Sequence, residues 1–199
     1  RRNKQLQQYP YRSETPNFNR RATQAIFSKY PIVNNGSLDL PHTQNNIIYA
    51  DILFQMDTVR VYNLHLQSFK LKPSTDNFTD GEKSERTYKR LVSTFAKQLE
   101  QAEIFREHFN KSPYVNIVCG DLNNTQFSNI YKIVKGDLQD SFLEMGKGWG
   151  RTYDFVKLPL RIDYIMADEN VEVLSHQNFD KRLSDHYPVM ATLRLKSHQ

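Results

Sequence analysis

Two polar residues at the end of an apolar run are the first candidates for chemistry in this chain. Asp121 and Asn123 follow residues 115–118, which are mostly apolar, and the glycine at position 120. Residues two apart on an extended chain point to the same side, so the acid and the amide face a common point. Such a pair suits binding a hard cation or orienting an attacking water. An Asx turn that caps the following helix is an equally good interpretation of these residues alone.

A second polar pair stands at the end of another predicted strand, residues 59–66. Asn63 and His65 share one face of this strand, whereas the apolar residues between them share the other. Polar side chains at a strand end suggest a site. A hydrogen-bonded core histidine is the competing explanation for His65.

Two further stretches contain acids and a histidine. Asp163 is embedded among apolar neighbours, where a carboxylate is costly unless it is paired or hydrogen-bonded. Asp185 and His186 stand in a polar turn before the last predicted strand. Because Asp163 and His186 each need a partner, we expect a hydrogen bond between them.

The predicted elements bring these residues to strand ends. Residues 46–54 and 59–66 are rich in β-branched and aromatic side chains and predict a hairpin, whereas Asn34-Asn35-Gly36 predicts a turn. Further strands are predicted at residues 115–118, which we expect to be buried on both faces, and at residues 161–166, 171–174 and 189–195.

Helical periodicity is strongest over residues 85–110. Apolar residues recur there at helical spacing from Tyr88 to Phe109, with lysines and glutamates between them. We therefore predict a long helix that covers a sheet and whose aromatic residues belong to the core. A shorter helix is predicted over residues 125–135, ended by Gly136, and residues 137–150 are predicted to form a loop.

Length and composition predict one globular domain over residues 1–199, and the predicted strands and helices indicate a layered α/β fold. Of the residues, 38% are hydrophobic and 25% are charged, and no apolar run approaches the roughly 18 to 20 residues of a membrane span. Cys119 is the single cysteine, so no disulfide can form within the chain. The net charge is +5, but residues 1–30 contain seven basic residues and one acid, against 20 basic and 21 acidic residues in the remainder. The basic excess is thus as consistent with a solvated arm as with a nucleic-acid patch.

Four short motifs, taken in order, resemble one known family. They are Asn-x-His at 63–65, Gly-Asp-Leu-Asn at 120–123, Arg-Ile-Asp-Tyr at 161–164 and Ser-Asp-His-Tyr-Pro at 184–188. This series is similar to the endonuclease/exonuclease/phosphatase superfamily, which includes pancreatic-type DNases, abasic-site endonucleases and neutral sphingomyelinases. The resemblance runs from about Phe27 to Leu195. It implies a DNase-like four-layer α/β sandwich, with two packed mixed sheets and outer helices.

The resemblance also implies hydrolysis of phosphate esters with Mg²⁺ or, alternatively, Mn²⁺ or Ca²⁺. His186 then meets the phosphate and the attacking water, and Asp163 holds its tautomer and supports its charge. Asp121 activates or positions the water, and the neighbouring Asn123 helps to orient it. His65 contacts the phosphate. A histidine coupled to an aspartate is also a suitable base near neutral pH on chemical grounds alone.

The metal and substrate contacts follow from the same resemblance. Asp185 lies at the metal, Asp121 is its second carboxylate in this chain, and Asn63 supports the substrate-binding histidine. Oxygen ligands without cysteine favour Mg²⁺, Mn²⁺ or Ca²⁺ over zinc. The substrate class stays open among nucleic acid, phospholipid and sugar phosphate. A catalytically silent binding or scaffold domain of the same fold is the alternative function.

The chain departs from the family pattern at its beginning. Proteins of the family start with a strand that carries an asparagine and a second strand that carries a metal-binding glutamate. Neither motif is found before Phe27, where the resemblance begins. Gln7-Gln8 has no glutamate beside it, and Glu14 lies in a basic, irregular stretch. We therefore expect the larger, C-terminal part of a domain, with weak Mg²⁺ binding. Upstream membrane segments, as in many bacterial relatives, would tether the full protein.

Overall fold

The computed structural model of the chain describes residues 6–16, 23–69, 81–155 and 158–196. Strands and helices are numbered within these ranges. The strands are β1 Tyr11–Glu14, β2 Ala25–Ser28, β3 Ile32–Asp39, β4 Asn46–Phe54, β5 Asp57–His65, β6 Val115–Asp121, β7 Gln139–Asp140, β8 Tyr153–Phe155, β9 Leu158–Leu160, β10 Asp163–Ala167, β11 Val171–Asn178 and β12 Val189–Leu195. The helices are α1 Gly81–Phe109, α2 Asn129–Lys135 and α3 Ser141–Met145.

A six-stranded mixed sheet is the centre of the fold. Its order is β3-β4-β5-β6-β10-β7, and β5 and β6 are its parallel pair. The β4–β5 hairpin turns at Gln55, which adopts a left-handed backbone conformation with φ of 56°. The chain then leaves β5, passes through α1 and returns as β6. Because β5 and β6 run in the same direction, their carboxyl ends lie side by side at one edge of the sheet.

The main hydrophobic core lies between one face of this sheet and the helices α1 and α2. Side chains at alternate positions of β5 and β10 point into it, including Tyr62, Leu64 and Met166. From α1, Ala102 and Phe105 contribute fully buried side chains. Short β-sheets and α3 complete a mixed α/β architecture of several packed sheets and helices, as predicted.

The apolar stripe of α1 is buried along only part of its length. Phe105 has no exposed surface, whereas Tyr88 is 66% exposed and Phe95 is 41% exposed. The prediction that all aromatic residues of this helix belong to the core was therefore wrong for its N-terminal half. The helical periodicity is the same in both halves, and only the position of the sheet decides which half is covered.

The opposite face of the central sheet is less completely covered. In β6, Asn116 and Val118 are buried on the helix side, but Val115 and Ile117 are only half-buried on the other side. The prediction that this strand is buried on both faces was thus wrong for the second face. The β11–β12 hairpin lies over that face, and Leu174 and Leu193 line a groove together with Val61 and Ile117.

Three other local predictions differ from the structure. Residues 34–36 continue β3 instead of turning, because Gly36 pairs with Tyr49 and lies against its ring. Residues 137–150 contain β7 and α3 and are not wholly a loop. The helix predicted from residue 125 begins at Asn129, where the Ser128 hydroxyl accepts a hydrogen bond from the backbone N–H of Tyr131.

None of the helices in the described ranges is both long enough and apolar enough to cross a membrane.

Candidate active site

Three adjacent strands of the central sheet present polar side chains in one row. His65 at the end of β5 is directly beside Asp121 at the end of β6. Asp121 is in turn opposite Asp163, the first residue of β10. Their apolar neighbours Leu64 and Tyr164 are buried in the helix-side core, so all three polar residues point to the other face of the sheet. Carboxylates directly opposite each other repel, so this pairing costs stability unless other groups compensate.

Gly120 makes the close approach of these strands possible. Its φ is 139°, and a Cβ atom there would lie 2.1 Å from the carbonyl oxygen of Leu64. Any side chain at this position would therefore push β6 away from β5. The glycine in the motif thus sets the distance between His65 and Asp121.

His186 enters the site from the turn that precedes β12. Its Nδ1 atom lies 2.8 Å from Asp163 Oδ2, and its Nε2 atom lies 3.9 Å from Asp121 Oδ2. The predicted contact with Asp163 is therefore present. The turn is fixed by backbone bonds, because the N–H of Tyr187 donates to the carbonyl of Thr152. The hydroxyl of Thr152 also accepts from the N–H of Asp163, which ties the start of β10 to the same segment.

Asp121 and Asn123 form the Asx-type turn that the sequence allowed, but this turn does not cap the following helix, whose N-cap is Ser128. The backbone N–H of Asn123 donates to Asp121 Oδ1 at 2.7 Å, and Asn123 Nδ2 donates to Asp121 Oδ2 at 2.9 Å. This is an Asx-type turn, and Asn123 adopts a left-handed conformation with φ of 49°. The same carboxylate also faces the polar cleft. Asn123 thus fixes the orientation of Asp121.

The pKa values in the site are displaced in opposite directions. Burial, together with the charge of Asp163, raises the pKa of Asp121 to about 7. The hydrogen bond that His186 donates to Asp163, together with the negative charges nearby, raises the pKa of His186 to about 9. Burial and the neighbouring His186 lower the pKa of His65. The site therefore contains an aspartate that titrates near neutrality beside a histidine that holds its proton.

A cleft of about 530 Å³ brings all of the sequence-predicted site residues together. Its lining includes Asn63, His65, Asp121, Asn123, Asp163, Asp185 and His186. Sequence reasoning missed Gln24, which also lines the cleft. Its side chain donates to the backbone and side-chain oxygens of Asn46 at 2.6 and 2.7 Å. No motif marked Gln24, because its place depends on the pairing of distant strands.

Three residues of the cleft form a group that suits a metal ion. One ligand atom from each of Asp121, Asp163 and His186 lies within 4.8 Å of the others. Two carboxylates at this spacing carry more negative charge than one imidazolium balances, and hard divalent cations prefer carboxylate oxygen ligands. The carboxylate oxygens therefore fit Mg²⁺, Mn²⁺ or Ca²⁺, whereas Nδ1 of His186 is already hydrogen-bonded to Asp163. Asp185 is exposed at the rim of the cleft and lies outside this three-residue group.

Comparison with known families identifies the group to which this geometry belongs. A sequence profile of the Endonuclease/Exonuclease/phosphatase family matches residues 2–186. The chain belongs to this family. A comparison with curated protein sequences gives no significant match. The profile match confirms the resemblance that the four motifs indicated. Members of the Endonuclease/Exonuclease/phosphatase family are phosphoesterases.

Solved structures of the family share the fold. A family protein from Leptotrichia buccalis aligns over 93% of this chain and 72% of its own, with a TM-score of 0.64 and 14% identity. A mannosyl-6-phosphatase from Bacteroides thetaiotaomicron aligns over 87% and 71%, with a TM-score of 0.63 and 18% identity. Beta toxin from Staphylococcus aureus aligns over 94% and 78%, with a TM-score of 0.56 and 19% identity. These likenesses confirm the predicted DNase-like fold class.

Proposed function

We propose that this chain is a metal-dependent hydrolase of phosphate esters that uses the His186–Asp163 pair. The main support is the row of His65, Asp121 and Asp163 across three strands, with His186 held 2.8 Å from Asp163. A structural role does not need two facing carboxylates at a strand edge. A reaction that handles protons and a developing negative charge does.

Asp121 is the proposed acceptor of the proton from the attacking water. Burial and the charge of Asp163 raise its pKa to about 7 without a bound cation, and a cation at this carboxylate would lower that pKa. Asn123 donates to both of its oxygens and so keeps the carboxylate directed into the cleft. As the water oxygen bonds to phosphorus, the ester bond breaks and the leaving oxygen departs.

His186 is the proposed source of positive charge at the phosphate. Asp163 accepts the Nδ1–H, which directs Nε2 into the cleft, and the raised pKa keeps the imidazole protonated at neutral pH. Protonated His186 then stabilises the negative phosphoryl oxygens or donates a proton to the leaving group. Neutral His65 donates a hydrogen bond to the phosphate, and Asn63 supports it from the same face of β5.

A divalent cation completes the proposed site. Asp121 would hold Mg²⁺, or Mn²⁺ or Ca²⁺, with Asp185 as the second carboxylate from the rim. Such an ion supplies charge stabilisation of the phosphoryl oxygens and orients the substrate. Asp163 is engaged with His186 and is therefore assigned to the histidine rather than to the ion.

Turnover of bis(4-nitrophenyl) phosphate tests this proposal. Because the chain is expected to bind Mg²⁺ weakly, we expect slow hydrolysis at high Mg²⁺ concentration, none with excess EDTA, and a loss of about 10²–10⁴-fold in His186→Asn. His42→Asn is a matched control, because His42 is exposed and its φ of 56° is a conformation that asparagine tolerates. Equal turnover in wild type and His186→Asn would contradict the proposal. Substrate binding without turnover would favour the alternative of a catalytically silent binding domain.

A further inference from the structure

An apolar pocket of about 310 Å³ lies beside the catalytic cleft. We call it the side pocket, and its apolar lining is Phe69, Leu91, Phe95, Tyr153, Leu160 and Ile162. The pocket and the cleft share Asn123, Asp185 and His186 in their linings. The two spaces are therefore continuous, and a ligand bound at His186 can extend into the side pocket.

The walls of the side pocket come from elements that also build the catalytic site. The Tyr153 ring lies 5.0 Å from the His186 ring, measured between centroids. Ile162 directly precedes Asp163 and is buried. Phe69 and Phe95 form the opposite wall with an edge-to-face contact at 4.9 Å. The partly exposed N-terminal half of α1 thus contributes its apolar side chains to the space next to the proposed phosphate position.

Two polar residues at the base of the side pocket, Asn123 and Asn124, are already engaged in hydrogen bonds. Asn123 Nδ2 donates to the carbonyl of Leu66 and to Asp121 Oδ2. Asn124 Nδ2 donates to Gln98 Oε1 at 2.7 Å, and the Asn124 carbonyl accepts from the Tyr164 hydroxyl. A ligand rich in hydroxyl groups would lose hydrogen bonds to water here, whereas an apolar group would gain by leaving water.

We propose that the substrate is a phosphate ester whose organic group next to the phosphate is apolar and of about phenyl or hexyl size, and that this group binds in the side pocket. The inference rests on the proposed function, because it places the phosphate at His186. Ring-like groups and short alkyl chains share the required chemistry. A phosphorylated sugar matches this lining less well, because its hydroxyl groups would face mainly apolar and aromatic side chains.

Binding of phosphonates in the presence of Mg²⁺ tests the inference without requiring turnover. Methylphosphonate, phenylphosphonate and hexylphosphonate carry the same charged head, and glucose 1-phosphate serves as the polar comparison. By isothermal titration calorimetry we expect phenyl- or hexylphosphonate to bind at least about tenfold more tightly than methylphosphonate. We expect glucose 1-phosphate to gain no such advantage. The stronger of the phenyl and hexyl ligands distinguishes a flat ring from an alkyl chain as the natural group.

Paired substitutions on α1 locate the effect. Leu91→Asn places an amide in the side pocket, and we expect the ratio of the phenyl to the methyl dissociation constants to approach one. Val92→Asn is the matched control, because Val92 is on the same helix, is exposed and is outside the pocket lining. Its ratio should equal that of the wild type. If Leu91→Asn fails to fold, Leu160→Asn provides the same change from β9.

The outcomes separate this inference from the proposed function. Equal affinity for all three phosphonates would overturn the side-pocket inference while leaving a working phosphate site. A preference for glucose 1-phosphate would overturn it as well. Absence of binding by every ligand would refute the phosphate site at His186, and with it both proposals. An unchanged ratio in a folded Leu91→Asn or Leu160→Asn variant would place the apolar group elsewhere.

Discussion

Two charged clusters lie on opposite faces of the same central sheet, and they differ in how their charges are matched. On the helix face, Arg60 of β5 contacts Asp51 of β4 through Nε and Nη2, at 2.6 and 2.8 Å. Asn34 donates to the same carboxylate, and the guanidinium lies 4.6 Å from the Tyr49 ring. One acid is thus paired with one base in bidentate geometry, and both oxygens of the Asp51 carboxylate accept hydrogen bonds.

The cluster on the other face is not matched in this way. Asp121 and Asp163 are direct neighbours on two adjacent strands. The imidazole of His186 lies within hydrogen-bonding distance of Asp163. The repulsion between the carboxylates contributes to the raised pKa of Asp121. Burial of charged residues alone therefore does not indicate function. An excess of one sign at a strand edge is a better indication of a functional site, because such carboxylates raise each other's pKa and attract a cation or a proton.

The two clusters also displace the pKa values of their histidines in opposite directions. Burial, together with the positive charge of Arg60, lowers the pKa of His108, whose Nδ1 lies 2.9 Å from the Tyr62 hydroxyl. The hydrogen bond that His186 donates to Asp163 raises the pKa of His186 to about 9. A neutral histidine suits a packed ring in the core. A protonated histidine suits contact with an anionic substrate.

The largest expected effect is the loss of activity on removing charge from Asp163. Asp163→Asn keeps the size and one hydrogen-bond acceptor, but it removes the charge that holds the proton on His186. We expect turnover of bis(4-nitrophenyl) phosphate to fall by about 10²–10⁴-fold, with the thermal unfolding temperature changed little. Activity within twofold of the wild type would show that the pair is structural, like the cluster on the helix face.

The largest expected effect on stability belongs to the matched cluster. Asp51→Ala leaves Arg60 buried without its counter-charge, so the free energy of unfolding should fall by about 3–5 kcal/mol in urea titration. Turnover per folded molecule should stay at the wild-type value, because the cluster does not reach the cleft. A change in turnover without a loss of stability would mean that the two faces are not separate in function.

The repulsion between Asp121 and Asp163 predicts that the protein becomes more stable when the charge of Asp121 is removed. Its pKa is raised in the folded state, so its charge costs stability as the pH rises from the ordinary aspartate value through about 7. In EDTA at pH 8, Asp121→Asn should therefore be more stable than the wild type by about 1 kcal/mol, while its activity with Mg²⁺ is lost. Below pH 4 the gain should vanish. A large destabilisation at pH 8 would show that the carboxylate is required by the fold.

The smallest expected effects are pH dependences of opposite sign at the two histidines. The pKa of His108 is lowered on folding, so its substitution to glutamine should cost more stability at pH 7.5 than at pH 5. The pKa of His186 is raised, so His186→Gln should cost more at pH 6 than above pH 9. Urea titrations in EDTA at these pH values measure both differences. The same sign for both histidines would contradict the contrast between the clusters.

The sequence determined the local features because each depends on neighbouring residues. The alternation of β5 placed Asn63 and His65 on one face, and the glycine before Asp121 marked the end of β6. Helical spacing predicted α1, and the motifs around Asp163 and His186 indicated the family. Periodicity and short motifs are properties of a few consecutive residues, so they can be read without knowing the fold.

Only the tertiary structure decided which of these features meet. The register that aligns His65, Asp121 and Asp163 depends on pairing between strands that are distant in the chain. The same pairing leaves the N-terminal half of α1 beyond the edge of the core, so that Leu91 and Phe95 line the side pocket. A helical stripe shows which side chains are apolar. Whether a sheet covers them depends on how far that sheet extends, and this is set by contacts that no local pattern contains.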